Sequence, residues 1–269
     1  MIKLIFRVVP FVLSILSCSF AALAGEIREF SIPTLERLGN ELSRRDSIAA
    51  RASDAVLETQ PAAKTMKMRG WITELGGGGD KVHLIAETPS GPVLAYTVTF
   101  RGGKPQVEDR HGQPLPANVA LRYKARNTAA AAVRDKLFDV SYNFEVLNDP
   151  DGNGFLVYAL AATKKKGEIL TGGHYRVTVS SDGSKAKRVD LLSQLIRQKA
   201  DAGHDTVAVV CTQLVSNVPV ETWLYSSYLY HMPMYVGTMD KALWRVVNGK
   251  IHKFTKAELD AMDKKEKKK

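Results

Sequence analysis

Cysteine is nearly absent from this chain: Cys18 and Cys211 are the only two in 269 residues. A disulfide-stapled scaffold is thereby excluded. Metal-binding patterns are missing too. There is no HExxH and no CxxC, and His83, His111, His174, His204, His231 and His252 are scattered with no pair at ligand spacing. No metal site and no cofactor is therefore expected. No GxSxG elbow occurs, and the single SxxK match, Ser184-Lys185-Ala186-Lys187, falls in an expected hairpin without SDN or KTG companions. Asp149-Pro150-Asp151-Gly152-Asn153-Gly154 fits the first half of a calcium loop, but Leu160 stands where the bidentate glutamate should, so the stretch reads as a turn. No basic face is interleaved with aromatics over a long stretch, and nucleic acid is not an expected partner.

What is present begins at the N-terminus. Lys3 and Arg7 precede a mostly apolar run from Val8 to Phe20, and Ala22-Leu23-Ala24 offers small residues where a signal peptidase reads. Residues 1–24 are expected to be a cleaved signal peptide, which makes the protein periplasmic or secreted. Two other readings of the segment are an uncleaved anchor, at about 20 residues long enough to span, and a lipoprotein attached through Cys18 in Ile15-Leu16-Ser17-Cys18. Pro10 and the small residues favour cleavage, and the apolar residues after Cys18 argue against a lipid tether. After cleavage no transmembrane segment is expected.

Loss of that segment leaves 245 residues with 36 basic and 28 acidic side chains, a net +8. Half of this excess lies in the last six residues, where Lys264, Lys265, Lys267, Lys268 and Lys269 face one acid, Glu266. The Lys-rich tail is expected to touch anionic surfaces, while the body is only mildly basic. Cys211 then stands alone within the apolar run Val207-Ala208-Val209-Val210-Cys211, which reads as a central strand buried on both faces.

Ser31 and Pro33 open a helix that Gln60-Pro61 closes, with Leu35, Leu38, Leu42, Ala49, Ala52 and Val56 recurring at three- and four-residue steps. Alternation takes over at Met66, predicting strands at 66–75, 81–87 and 93–100, and a fourth at Val119, Leu121 and Tyr123. Gly76-Gly77-Gly78-Gly79-Asp80 reads as a hairpin, since a strand rather than a helix follows it. Thr128 is expected to cap an alanine-rich helix through Phe138, and Leu191 to Ile196 to form a small helix. Further strands are expected at 141–147, 154–162, 173–180, 185–190, 206–212, 220–228, 234–238 and 243–247. Thr255 and Glu258 form a capping box for a last helix.

The resulting fold class is α+β, with mostly antiparallel sheet, a long N-terminal amphipathic helix and a few short helices after the signal peptide. The expected division is 1–24, then helix plus antiparallel strands over 25–116, a larger antiparallel part over 117–254, and helix and tail over 255–269. The second and third parts are also readable as one continuous domain.

One compositional cluster bears on function. Trp223, Tyr225, Tyr228, Tyr230 and His231, with Tyr235 nearby, combine large apolar faces with polar tips suited to carbohydrate, peptide or protein partners. The same residues would also serve as ordinary core. The expected function is a non-catalytic binding or interaction protein of the bacterial cell envelope, with an envelope protein or glycan as partner and residues 223–235 as contact. The alternative is a hydrolase acting on an envelope polymer through paired carboxylates, for which Glu74, Glu87, Glu145 and Glu221 are candidates. Two acids converging in a pocket would favour hydrolysis.

Overall fold

The computed structural model describes residues 27–64, 66–165, 167–199 and 208–266. The expected signal peptide with Cys18 and the last three lysines lie outside them. Helix α1 (Ile32–Thr59) leads into a four-stranded antiparallel meander, β1 (Met68–Glu74), β2 (Asp80–Thr88), β3 (Gly91–Arg101) and β4 (Lys104–Pro114). Helix α2 (Ala117–Val133) follows. A second antiparallel sheet of order β5-β6-β8-β9 is built from β5 (Ser141–Asn148), β6 (Gly154–Ala162), β8 (Tyr175–Ser180) and β9 (Ala186–Leu191). Beside it, β7 (Glu168–Thr171) pairs with β10 (Ile196–Lys199). The third sheet has order β11-β12-β13-β14, from β11 (Val209–Gln213), β12 (Met234–Thr238), β13 (Leu243–Val247) and β14 (Lys250–Lys253). Helix α3 (Glu221–Leu229) lies between β11 and β12, and α4 (Lys256–Glu266) ends the described chain. The class is α+β with mostly antiparallel sheets.

Helix α1 ties the layers together because its buried seam is long enough to serve two cores. Leu35, Leu38 and Leu42 join Trp223, Leu224 and Tyr225 of α3 against Leu156, Tyr158 and Leu160 of β6 and the inner face of the third sheet. Two turns further on, Ile48, Ala49, Ala52 and Val56 pack on Val82, Leu84, Tyr96 and Val98 of the meander. The opposite face of the second sheet is covered by Val119, Tyr123, Ala129 and Val133 of α2. Strand β6 is thus buried on both faces from Phe155 to Ala161, which is why its sequence is continuously apolar rather than alternating. Gly39 lets α1 and α3 approach closely: a Cβ there would lie 2.5 Å from Leu224 Cβ.

Five local expectations are corrected. Residues 119–124 are helical, since Val119, Tyr123, Ala129 and Val133 share one face of α2; the short alternation is incidental. Thr128 sits inside α2 and donates to the Gly183 carbonyl at 2.7 Å instead of capping. Leu191 to Ile196 is not a helix but the end of β9 and the approach to β10. Residues 220–228 are helix α3, whose Glu221 to Ser227 are all buried, so no polar face marks it as helical. Misreading α3 also hides a crossover, because β11 and β12 are joined through it and pair in parallel. Cys211 is buried, but on an edge strand with one inward face: Val210 beside it is 64% exposed. Burial pushes the Cys211 thiol pKa up to about 12. The capping box at Thr255 and Glu258 is formed, with Glu258 accepting from the Thr255 N–H at 2.7 Å.

Candidate functional site

The 223–235 segment is brought together by α3, but mostly inward. Trp223 is 1% exposed and donates from Nε1 to Gln213 Oε1 at 2.7 Å, while Tyr225 is 2% exposed and donates to Asp46 at 3.2 Å. Tyr230, half-buried, accepts from the Leu170 N–H and donates to its carbonyl, both at 2.9 Å, locking α3 to β7. Tyr228 is partly exposed and donates to Asn40 of α1 at 2.8 Å, and His231 lies exposed in the left-handed region at φ 53°. Of the five residues, Tyr228 and His231 are exposed and Tyr230 keeps part of its surface. Trp223 and Tyr225 are core.

The four glutamates do not converge in a cleft. Glu74 pairs with His83 at 2.9 Å, and Glu87 accepts from Tyr123 at 3.2 Å. Glu221, on α3 rather than a strand, is wholly buried and accepts from Tyr158 and Arg176 at 2.7 and 2.8 Å. Arg176 reaches Asp190 at 3.0 Å as well. Burial alone would favour a neutral guanidine, but the flanking carboxylates hold Arg176 charged. Glu145 is 1% exposed under Trp71, whose Nε1 donates to it at 2.6 Å, and burial raises its pKa to about 7. Asp46 is its nearest acidic influence, itself raised by burial against hydrogen bonds from Asn143 and Tyr225. Glu145 lies inside the protein, out of reach of a polymer, while Asp46 is partly buried. The calcium-like turn is also spoken for: Arg28 forks onto Asp149 with two bonds of 2.7 Å and reaches Asp151 at 3.1 Å, so a guanidinium occupies the carboxylates.

An open cleft of about 460 Å³ lies instead between α1 and two loops of the meander. Its wall on α1 is Arg44, Ile48 and Arg51, with the two arginines seven residues, about two turns, apart and so on one face. Gly76 to Asp80 of the β1–β2 loop form a second wall, and Phe100 to Gly103 of the β3–β4 turn the third. Three arginines against one aspartate leave two positive charges. Arg44 is compensated by a two-pronged bond to Asp80, at 2.8 and 3.2 Å. Arg51 lies over the Phe100 ring at 4.9 Å and donates to the Gly103 carbonyl, with no carboxylate partner among the described residues. Arg101 is exposed and likewise unpaired among them.

The sequence marks Gly76 to Asp80 as a hairpin but gives little sign that the arginines gather beside it. The only available signal was the i, i+7 spacing of Arg44 and Arg51 on the polar face of α1; Arg101 joins them through strand pairing alone. A shallower depression of about 390 Å³ lies at Leu214, Val215, Met239 and Asp240 beside β11. Among the described residues, no group of histidines, cysteines and acids could hold a metal ion, and no helix is long and apolar enough to cross a membrane. Comparison with known proteins found no matching family model, no matching curated protein and no matching solved structure.

Proposed function

We propose that the protein is an exported, non-catalytic binding protein of the cell envelope that holds an acidic polymer or headgroup in the cleft between α1 and the meander loops. The observation that carries this reading is a cleft lined by three arginines and one acid, Asp80, which is already engaged by Arg44, leaving Arg51 and Arg101 without a carboxylate partner among the described residues. Envelopes are rich in phosphate- and carboxylate-bearing lipids and glycans, and clustered arginines attract such groups in a salt-dependent way. The hydrolase alternative needs two acids opening on one cleft. The acids lining this cleft reduce to Asp80, and of the perturbed acids Glu145 is buried in the interior and Asp46 partly buried.

Titration calorimetry of the mature chain with an acidic polysaccharide and with neutral dextran tests the reading. The acidic polymer should bind, dextran should not, and Arg51→Ala/Arg101→Ala should weaken binding at least tenfold without changing the melting temperature by more than a few degrees. Equal binding by the folded double variant and the parent would refute it. Export is tested separately by sequencing the N-terminus of protein recovered from the periplasm, which should begin at Gly25.

A further inference from the structure

The glycines lining the cleft divide into two kinds. Gly102 and Gly103 have φ of 55° and 76°, and Gly79 has φ 107° with a Cβ position 2.6 Å from the Phe100 carbonyl oxygen. For these three, backbone conformation or crowding requires glycine. Gly76, Gly77 and Gly78 are different. None lies in the left-handed region, and a Cβ at each meets nothing within 4 Å. Neither the turn nor packing demands a glycine there, although three in succession add chain entropy that folding must overcome. All three line the cleft, so a side chain there would add bulk at its wall.

That backbone has donors to offer. The Gly79 N–H is used on the Gly76 carbonyl at 3.2 Å and the Gly76 N–H on Asp80 at 3.4 Å, whereas among the described residues the Gly77 and Gly78 N–H groups have no partner. Across the cleft stand Arg51 and Arg101. A ligand that uses donors from separate walls needs acceptors pointing several ways and a charge near −2. A planar carboxylate has two oxygens in one plane and a charge of −1, suited to a single guanidinium fork. A phosphomonoester has three free oxygens and about −1.5 to −2. Loop N–H groups with a nearby arginine are also a recurrent way to hold phosphate.

We infer that the cleft selects phosphoryl groups, seated on the Gly77 and Gly78 N–H groups opposite Arg51 and Arg101. The cleft is several times larger than a phosphate, which points to a phosphorylated sugar or lipid headgroup rather than free phosphate. This inference rests on the acidic-ligand reading above but can fail without it.

The experiment compares glucose 6-phosphate with glucuronate, inorganic phosphate and vesicles containing phosphatidic acid, whose headgroup is a phosphomonoester, against the parent chain, Gly77→Ala/Gly78→Ala and Arg51→Ala/Arg101→Ala. Glucose 6-phosphate should bind at least tenfold more tightly than glucuronate. The glycine variant should keep its melting temperature, lose at least tenfold for glucose 6-phosphate and leave glucuronate unchanged; the arginine variant should lose both. Tight binding of vesicles with weak binding of the sugar phosphate would assign the phosphoryl group to a lipid, and the reverse to a glycan; either upholds the inference. Equal affinity for phosphate and carboxylate ligands overturns phosphate selection while leaving the acidic-ligand reading intact. Undiminished binding by the glycine variant reduces the run to a hairpin spacer. No binding of any anion refutes both readings.

Discussion

Substituting Glu145→Gln should expose a pH dependence of stability that the parent protein conceals. Glu145 is buried, with a folded pKa of about 7 against an ordinary 4.5. Between those values the unfolded chain has lost the proton and the folded one keeps it, so stability falls as pH rises through the window. His174 does the opposite. It is buried, its Nδ1 accepts the Ala161 N–H at 3.0 Å, and burial lowers its pKa from 6.5 to about 3. The folded state lacks the proton that the unfolded state holds, so stability rises with pH from about 3 to 6.5 and is lost on acidification below it. From pH 4.5 to 6.5 the two groups pull in opposite directions at about 1.4 kcal/mol per pH unit each. Their sum is near zero, with Asp46, also raised by burial, adding to the Glu145 side. Glutamine keeps an acceptor for the Trp71 N–H and cannot titrate. Urea unfolding of Glu145→Gln at half-unit pH steps should therefore show stability rising by about 2 kcal/mol at most across the window, with Asp46 still opposing His174, where the parent is nearly flat. Parallel profiles for the two proteins would refute the argument, since they would mean that Glu145 does not keep its proton in the fold.

Two further outcomes test the packing. Gly39→Ala places a methyl 2.5 Å from Leu224 Cβ and 2.7 Å from the Glu221 carbonyl, so α1 and α3 must separate; a loss of about 1–3 kcal/mol is expected in urea unfolding, and an unchanged midpoint would contradict the close helix contact. Arg176→Met leaves Glu221 and Asp190 buried with less compensation and should cost about 3–5 kcal/mol, while adding Glu221→Gln should recover part of it; a double variant no more stable than the single one would show that Arg176 acts through packing alone.

The sequence alone determined the elements whose signals are local. Hairpins such as β5 with β6 and β8 with β9 are short apolar or alternating runs on either side of turn residues, and the Thr255 capping box lies within four residues. It also determined that Cys211 would be buried, though on one face rather than two. Only the tertiary structure decided α3. Its residues Glu221 to Leu229 are rich in aromatic and β-prone types, and because every face is covered, from Glu221 to Ser227, no periodicity survives to be read. That one element decides the parallel pairing of β11 with β12 and turns Trp223 and Tyr225 from surface candidates into core. The arginine cleft is likewise tertiary. Arg51 and Arg101 lie fifty residues apart in sequence and line one cleft because a helix packs across a meander, a gathering that no local pattern announces.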